Sequence, residues 1–188
     1  MLADDLKERT RDVHTALEKK LLSHIQLVHD TNHYGALLEM MYGYYAALEN
    51  RLDSFRHAIP DYDRRRKSHA IIHDLGKLGR SAQAIRLCEN IPVLNSIPEA
   101  FGSMYVLEGS TLGGTIISRM LLKQVPALSD ALMFFRGYQD QTMDMWQKFK
   151  QYLHQMIDEV HHEEAQLAAK ETFVKFKIWI EQHDAGKL

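Results

Sequence analysis

The chain has 188 residues, 45% of them hydrophobic and 26% charged, and a formal net charge of −2. That length suits one domain with a sizeable core, and the near-neutral balance gives nucleic acid no basic surface to bind. A single cysteine, Cys88, excludes an intrachain disulfide framework, and no apolar run approaches the ~20 residues of a membrane span.

The polar start MLADDLKERT has no signal-peptide core, so a cytoplasmic protein is expected. Periodicity is helical nearly throughout, which predicts a single-domain all-α bundle over residues 1–188. A first helix is expected over 3–28, with Leu2, Leu6, Val13, Leu17 and Leu21 on one stripe. A second is expected over 32–58, capped by Thr31 or Asn32. Residues 64–90 read as two shorter helices broken near Gly76 and Gly79, entered through the charge run DRRRK at 63–67, which reads as solvated. A long helix starts at Pro98, followed by helices over 127–136, 139–160 and 163–182, with 183–188 as a frayed tail.

The long helix holds the most unusual feature, because EAFGSMYVLEGSTLGGTIISRMLLK places Gly102, Gly109, Gly113 and Gly114 inside one helix. Each interior glycine costs about 1 kcal/mol relative to alanine. Gly102, Gly109 and Gly113 fall on one face, which is bare enough to approach a flat ligand. Glu108 projects away from that face and is no obvious acid for it.

In the first helix, His14 sits about 60° from the centre of the apolar stripe, at the border of core and surface. Lys7 stands two turns before it, and Glu18 stands one turn after it on the same face. Spacing alone leaves two readings, an ordinary amphipathic surface or an iron ligand with its orienting carboxylate.

The segments LKERTRDVH and TALE together resemble the proximal helix of the heme oxygenases, and MYVLEGSTLGG resembles their distal helix in its bacterial and bacteriophytochrome-associated form. YYAALE in the second helix, with FKQYL and EEAQLAAKETF near the C-terminus, extends the resemblance in the same order along most of the chain. It implies heme b as substrate and cofactor together, lying between the first helix and the glycine-bearing helix. His14 would be the axial iron ligand and Glu18 its neighbouring carboxylate. Lys7 and Lys150 would meet the propionates, and Gly109, Gly113 and Gly114 would pack over the heme face. Gly109, Ser110 and Gly113 would form the catalytic wall.

The implied reaction takes O2 and reducing electrons and yields biliverdin, carbon monoxide and ferrous iron. A ferredoxin or flavodoxin is the implied donor, and a bacteriophytochrome or another biliverdin acceptor is the implied downstream partner. Two positions depart from the family pattern. Ser110 stands where many members carry an aspartate that orders distal water, and His154 falls near an arginine that steers the propionates in some members.

Several other readings compete. A non-catalytic heme carrier or sensor would keep His14 and the glycines and lose oxygen activation. A ferritin-like di-iron centre needs two Glu-x-x-His motifs, and only Glu159-x-x-His162 is present. A thiaminase-like enzyme needs a nucleophile, and Cys88 has no histidine near it in sequence. The Gly109-x-x-x-Gly113 pair could mark a membrane-helix dimer, but Glu99, Glu108, Arg119 and Lys123 surround it. The methionines and tyrosines at 40–45 read as core, as do Phe173 and Phe176, which could also line a heme wall.

Overall fold

The computed structural model describes residues 1–185, and among them there is no β-strand. The helices are α1 (Leu2–Arg9), α2 (Arg11–Gln26), α3 (Thr31–Leu52), α4 (Tyr62–Arg65), α5 (Ser68–Lys77), α6 (Ile97–Gln124), α7 (Met133–Arg136), α8 (Thr142–Met156) and α9 (His162–Ala185). The all-α expectation holds. No helix among the described residues is long and apolar enough to cross a membrane. Of the tail expected over 183–188, residues 183–185 are still helical, and 186–188 lie outside the described residues.

Local chemistry sets where the helices begin and end. The predicted first helix is two, broken at Thr10, whose hydroxyl donates to the Leu6 carbonyl at 2.7 Å. That side-chain bond competes with the backbone ladder and bends the chain. The cap of α3 is Asp30 and not Thr31 or Asn32, because Asp30 Oδ1 accepts the His33 N–H at 2.8 Å. This backbone donation, with a second bond from the His33 ring, holds the Asp30 carboxyl below its usual range. The long helix α6 opens on a full capping box between Ser96 and Glu99, with Pro98 in its first turn.

The helices expected up to residue 90 stop at Lys77. Gly79 turns the chain at φ +70°, and the segment beyond it runs in irregular conformation across α3. There Cys88 N donates to the Gly43 carbonyl at 2.9 Å, and the Arg86 carbonyl lies 2.7 Å from where a Gly43 Cβ would stand. Gly43 is required by this close approach.

The centre of the bundle is α6 against α9, with α8 and α7 on α6 and with α2 and α1 on α9. The apolar stripe of the first segment is seated as expected: Leu2, Leu6 and Leu17 are buried, and Val13 and Leu21 half-buried. Tyr44, stacked on Phe176 at 4.4 Å, joins α3 to α9 in the same core. Because α2 and α6 both lean on α9, they are carried as two walls on a common support.

Candidate active site

The four glycines of α6 divide into two pairs. A Cβ on Gly102 would lie 2.1 Å from the Ala165 carbonyl oxygen of α9, and one on Gly114 would lie 2.1 Å from the Phe135 carbonyl oxygen of α7. Both positions are glycine because another backbone is pressed against the helix. Gly113 has nothing within 4 Å of that point, and Gly109 meets only the edge of Trp146 at 3.9 Å. Among the described residues no close packing accounts for these two missing side chains.

This corrects part of the expected face: Gly102 and Gly114 are occupied by the protein itself, and the open stretch is Gly109 to Gly113. Leu112 and Ile116, 40% and 64% exposed, continue the open side of an otherwise deeply buried helix. At helical spacing, 109, 112, 113 and 116 share one side. The result is a bare apolar strip left open among the described residues.

Ser110 stands beside that strip. Its hydroxyl donates to the Leu107 carbonyl at 2.7 Å and accepts from Tyr45 Oη at 3.1 Å. The serine proton is therefore already used, and what Ser110 offers outward is acceptor capacity. Tyr45 is buried among Phe134 and Phe176, both edge-on to it at 5.2 and 5.8 Å. Burial raises its phenol to about 12 against a smaller opposite effect of the Ser110 hydrogen bond, so it stays a neutral donor. Tyr45 and its neighbour Tyr44 are both buried in the core, as the 40–45 cluster predicts, but only Tyr45 reaches Ser110. Tyr44 Oη instead donates to the Thr172 carbonyl at 2.7 Å.

Behind the strip α6 is anchored by charge. Glu108, buried, accepts from Lys67 Nζ and from Tyr138 Oη, both at 2.6 Å, and also from Arg65 Nη1. Arg65 and Lys67 are themselves buried, so the 63–67 run is not the solvated helix entrance its composition suggested. Two of its cations turn inward because Glu108 needs them. Burial outweighs the attraction of Glu108 and pulls the Lys67 ammonium below its usual range. A second carboxylate, Glu49, accepts from Lys67 N at 2.5 Å and from the Ser68 hydroxyl, and so fixes the turn that delivers Lys67. Glu108 thus points away from the bare strip, as its helical angle predicted.

On the opposite wall His14 is exposed, and its ring lies 5.2 Å from that of buried Phe173 on α9. The Thr10 bend is one turn before it, and His14 N closes that turn on the Thr10 carbonyl at 2.8 Å. Glu18 is exposed one turn further on, and no direct hydrogen bond joins it to His14 among the described residues. Lys7 is exposed on α1, which packs on α8 as well as on α9. Lys150, on α8, holds its ammonium 5.8 Å from the Trp146 ring, and Trp146 in turn borders Gly109. The two expected propionate lysines therefore stand on elements packed against each other, α1 and α8.

Other candidates fall away in the structure. Glu159 is exposed in a single turn ahead of α9 and His162 opens α9, and among the described residues neither joins a cluster able to hold a metal ion. Cys88 is buried, and burial raises its thiol above the usual range, as suits a packing residue.

A family model for heme oxygenase matches residues 1–182. A heme oxygenase of Xanthomonas campestris is 31% identical over 130 residues, covering 68% of this chain and 76% of that protein. Among solved structures, the NO- and CO-bound heme oxygenase of Neisseria meningitidis superposes with a TM-score of 0.77 at 20% identity. It covers 97% of this chain and 91% of that one. The heme complex of heme oxygenase-1 from the cyanobacterium Synechocystis gives a TM-score of 0.72 at 18% identity, covering 98% and 93%. These likenesses and the two-walled architecture agree, and the chain belongs to the heme oxygenase family.

Proposed function

We propose that this member of the heme oxygenase family holds heme between α2 and α6, with His14 on the iron and the Gly109–Gly113 strip against the opposite face. The reaction that goes with the family is the degradation of heme, substrate and cofactor together, to biliverdin. When bound, heme supplies the iron that engages O2 and the porphyrin edge that is oxidised, with carbon monoxide and ferrous iron as the other products. The observation that carries this reading is a pair of interior glycines that no close packing explains. A helix gives up about 1 kcal/mol at each of them, and among the described residues only the edge of Trp146, 3.9 Å from Gly109, approaches the space so gained. A flat macrocycle would lie against that space, and a side chain standing there would be in its way.

The remaining roles follow from where the residues stand. His14 offers an exposed imidazole on a helix tied to α9, with Phe173 backing its ring. A neutral histidine is a weaker electron donor to iron than a thiolate, which suits a site that must not split the O–O bond early. Lys7 and Lys150 supply positive charge for two carboxylate groups at one edge of the ligand. Gly109 and Gly113 bring backbone close to the open face and limit the directions in which a small bound molecule can lean.

Ser110 and Tyr45 take the place of an aspartate. Ser110 Oγ accepts from the outer side while Tyr45 Oη keeps it fixed, so a water there would be held by an acceptor and not by a strong acid. Gly114 contributes indirectly, by letting Phe135 seat α7 against α6. Electrons would come from a ferredoxin or flavodoxin in the cytoplasm, and biliverdin would pass to a bacteriophytochrome or another acceptor.

The test is aerobic incubation of the chain with heme and a ferredoxin-based electron supply. Loss of the Soret band with growth of biliverdin absorbance is expected, and His14→Ala should lose most of that turnover together with the native heme spectrum. A persistent Soret band in the native chain would mark a carrier or sensor, and an unchanged His14→Ala would overturn the ligand assignment.

A further inference from the structure

We propose that His29, Asp30 and His33 form a binding site for a divalent first-row transition-metal ion, at the corner where α2 gives way to α3. The sequence supplies His-Asp-x-x-His, and the fold brings it together in one place. Asp30 caps α3, which puts His33 in the first helical turn and leaves His29 just ahead of it. The three residues each present one ligand atom, and these atoms all lie within 4.8 Å of one another. His29 Nε2 is 3.9 Å from Asp30 Oδ2, His33 Nδ1 is 2.8 Å from Asp30 Oδ1, and the two rings sit with centroids 3.8 Å apart.

An interaction outside the cluster prepares one of the ligands. His29 Nδ1 lies 2.9 Å from the Leu27 carbonyl oxygen, which can only accept, so Nδ1 carries the proton. The free lone pair of the neutral ring is then on Nε2, the atom facing Asp30. Metal-bound histidines are oriented in this way by a backbone carbonyl behind the ring. A tetrahedral ion with bonds near 2.1 Å holds its ligand atoms about 3.4 Å apart. Closing the cluster from 4.8 Å to that spacing takes a shift of about 1.4 Å. The exposed His33 ring gives up its bond to Asp30 on the way.

The donor set selects the ion. Two imidazole nitrogens and one carboxylate oxygen suit Zn2+, Ni2+, Cu2+ or Fe2+ and are too nitrogen-rich for Mg2+ or Ca2+. The positive N-terminal pole of α3 works against a cation, and two features oppose it: the Asp30 carboxylate and the carbonyl-bearing end of α2 that holds His29. An adjoining cleft of about 490 Å³ includes His33 in its wall and opens the site to solvent. The corner is separate from the heme walls, since His14 lies about 18 Å of helix axis before Gln26.

Titrating the tag-free, heme-free chain with zinc chloride in a calorimeter should show one saturable equivalent with a micromolar dissociation constant. His29→Ala and His33→Ala should each weaken it tenfold or more. Asp30→Asn, which keeps a competent helix cap, should weaken it with an unchanged circular dichroism spectrum. His161→Ala, at the separate His161–Glu164 pair, should leave it untouched. The absence of a saturable equivalent in the native chain overturns the proposal. So does an equivalent that survives both histidine substitutions, or one that is lost in His161→Ala.

Discussion

Gly102 and Gly114 differ from Gly109 and Gly113 in a way their shared helix conceals. The first two are pressed by carbonyl oxygens of α9 and α7, so removing a side chain there lets the bundle close. At the other two, a side chain would meet at most the edge of Trp146 at 3.9 Å among the described residues. One pair serves the fold, and the other is the pair proposed above to serve a ligand. A glycine count cannot separate these uses, and the atoms opposite each Cα can.

The contrast can be broken or sharpened by substitution, and the largest effect is expected behind the strip. Glu108→Gln leaves Arg65 and Lys67 buried without their anion and should cost about 3–5 kcal/mol, read by denaturant unfolding. An unfolding midpoint equal to the native one would mean that the charge cluster does not anchor α6. Next come Gly102→Ala and Gly114→Ala, where the new methyl must push a neighbouring backbone aside. Each should lose about 1–3 kcal/mol or more, with or without heme. A smaller effect is expected from Tyr45→Phe, which removes the donor to Ser110 Oγ and should cost about 0.5–1.5 kcal/mol. Its use is to show whether Ser110 needs that tether, since heme turnover should then fall further than the stability loss explains.

Much of this was legible from residue order alone. The helical period gave the all-α bundle, and the spacing of Lys7, His14 and Glu18 marked a helix face that the structure leaves exposed. The helical angle of Glu108 already turned it away from the glycines. What could not be read was a local side-chain bond under an unbroken apolar stripe, or anything that depends on a distant residue. The break at Thr10 is a side-chain bond within one turn, in a stretch whose apolar stripe runs through unbroken. The loop after Gly79 leaves helical geometry to cross Gly43, a contact with no local signature. Arg65 and Lys67 sit in a run of charges that looks solvated until Glu108 is placed 41 and 43 residues away. Tyr45 and Tyr44 are adjacent and chemically identical, and only the third dimension sends one to Ser110 and the other to Thr172.

The claim that the open glycines exist for a ligand is tested most directly by denaturant unfolding of Gly113→Leu with and without heme. Leucine is a good helix former, and the position has room for it, so the heme-free variant should be about 0.5–1 kcal/mol more stable than the native chain. The extra stability that heme confers on the native chain should shrink or vanish in the variant. A heme-free variant that is destabilised, or one that heme stabilises as fully as the native chain, would contradict the account.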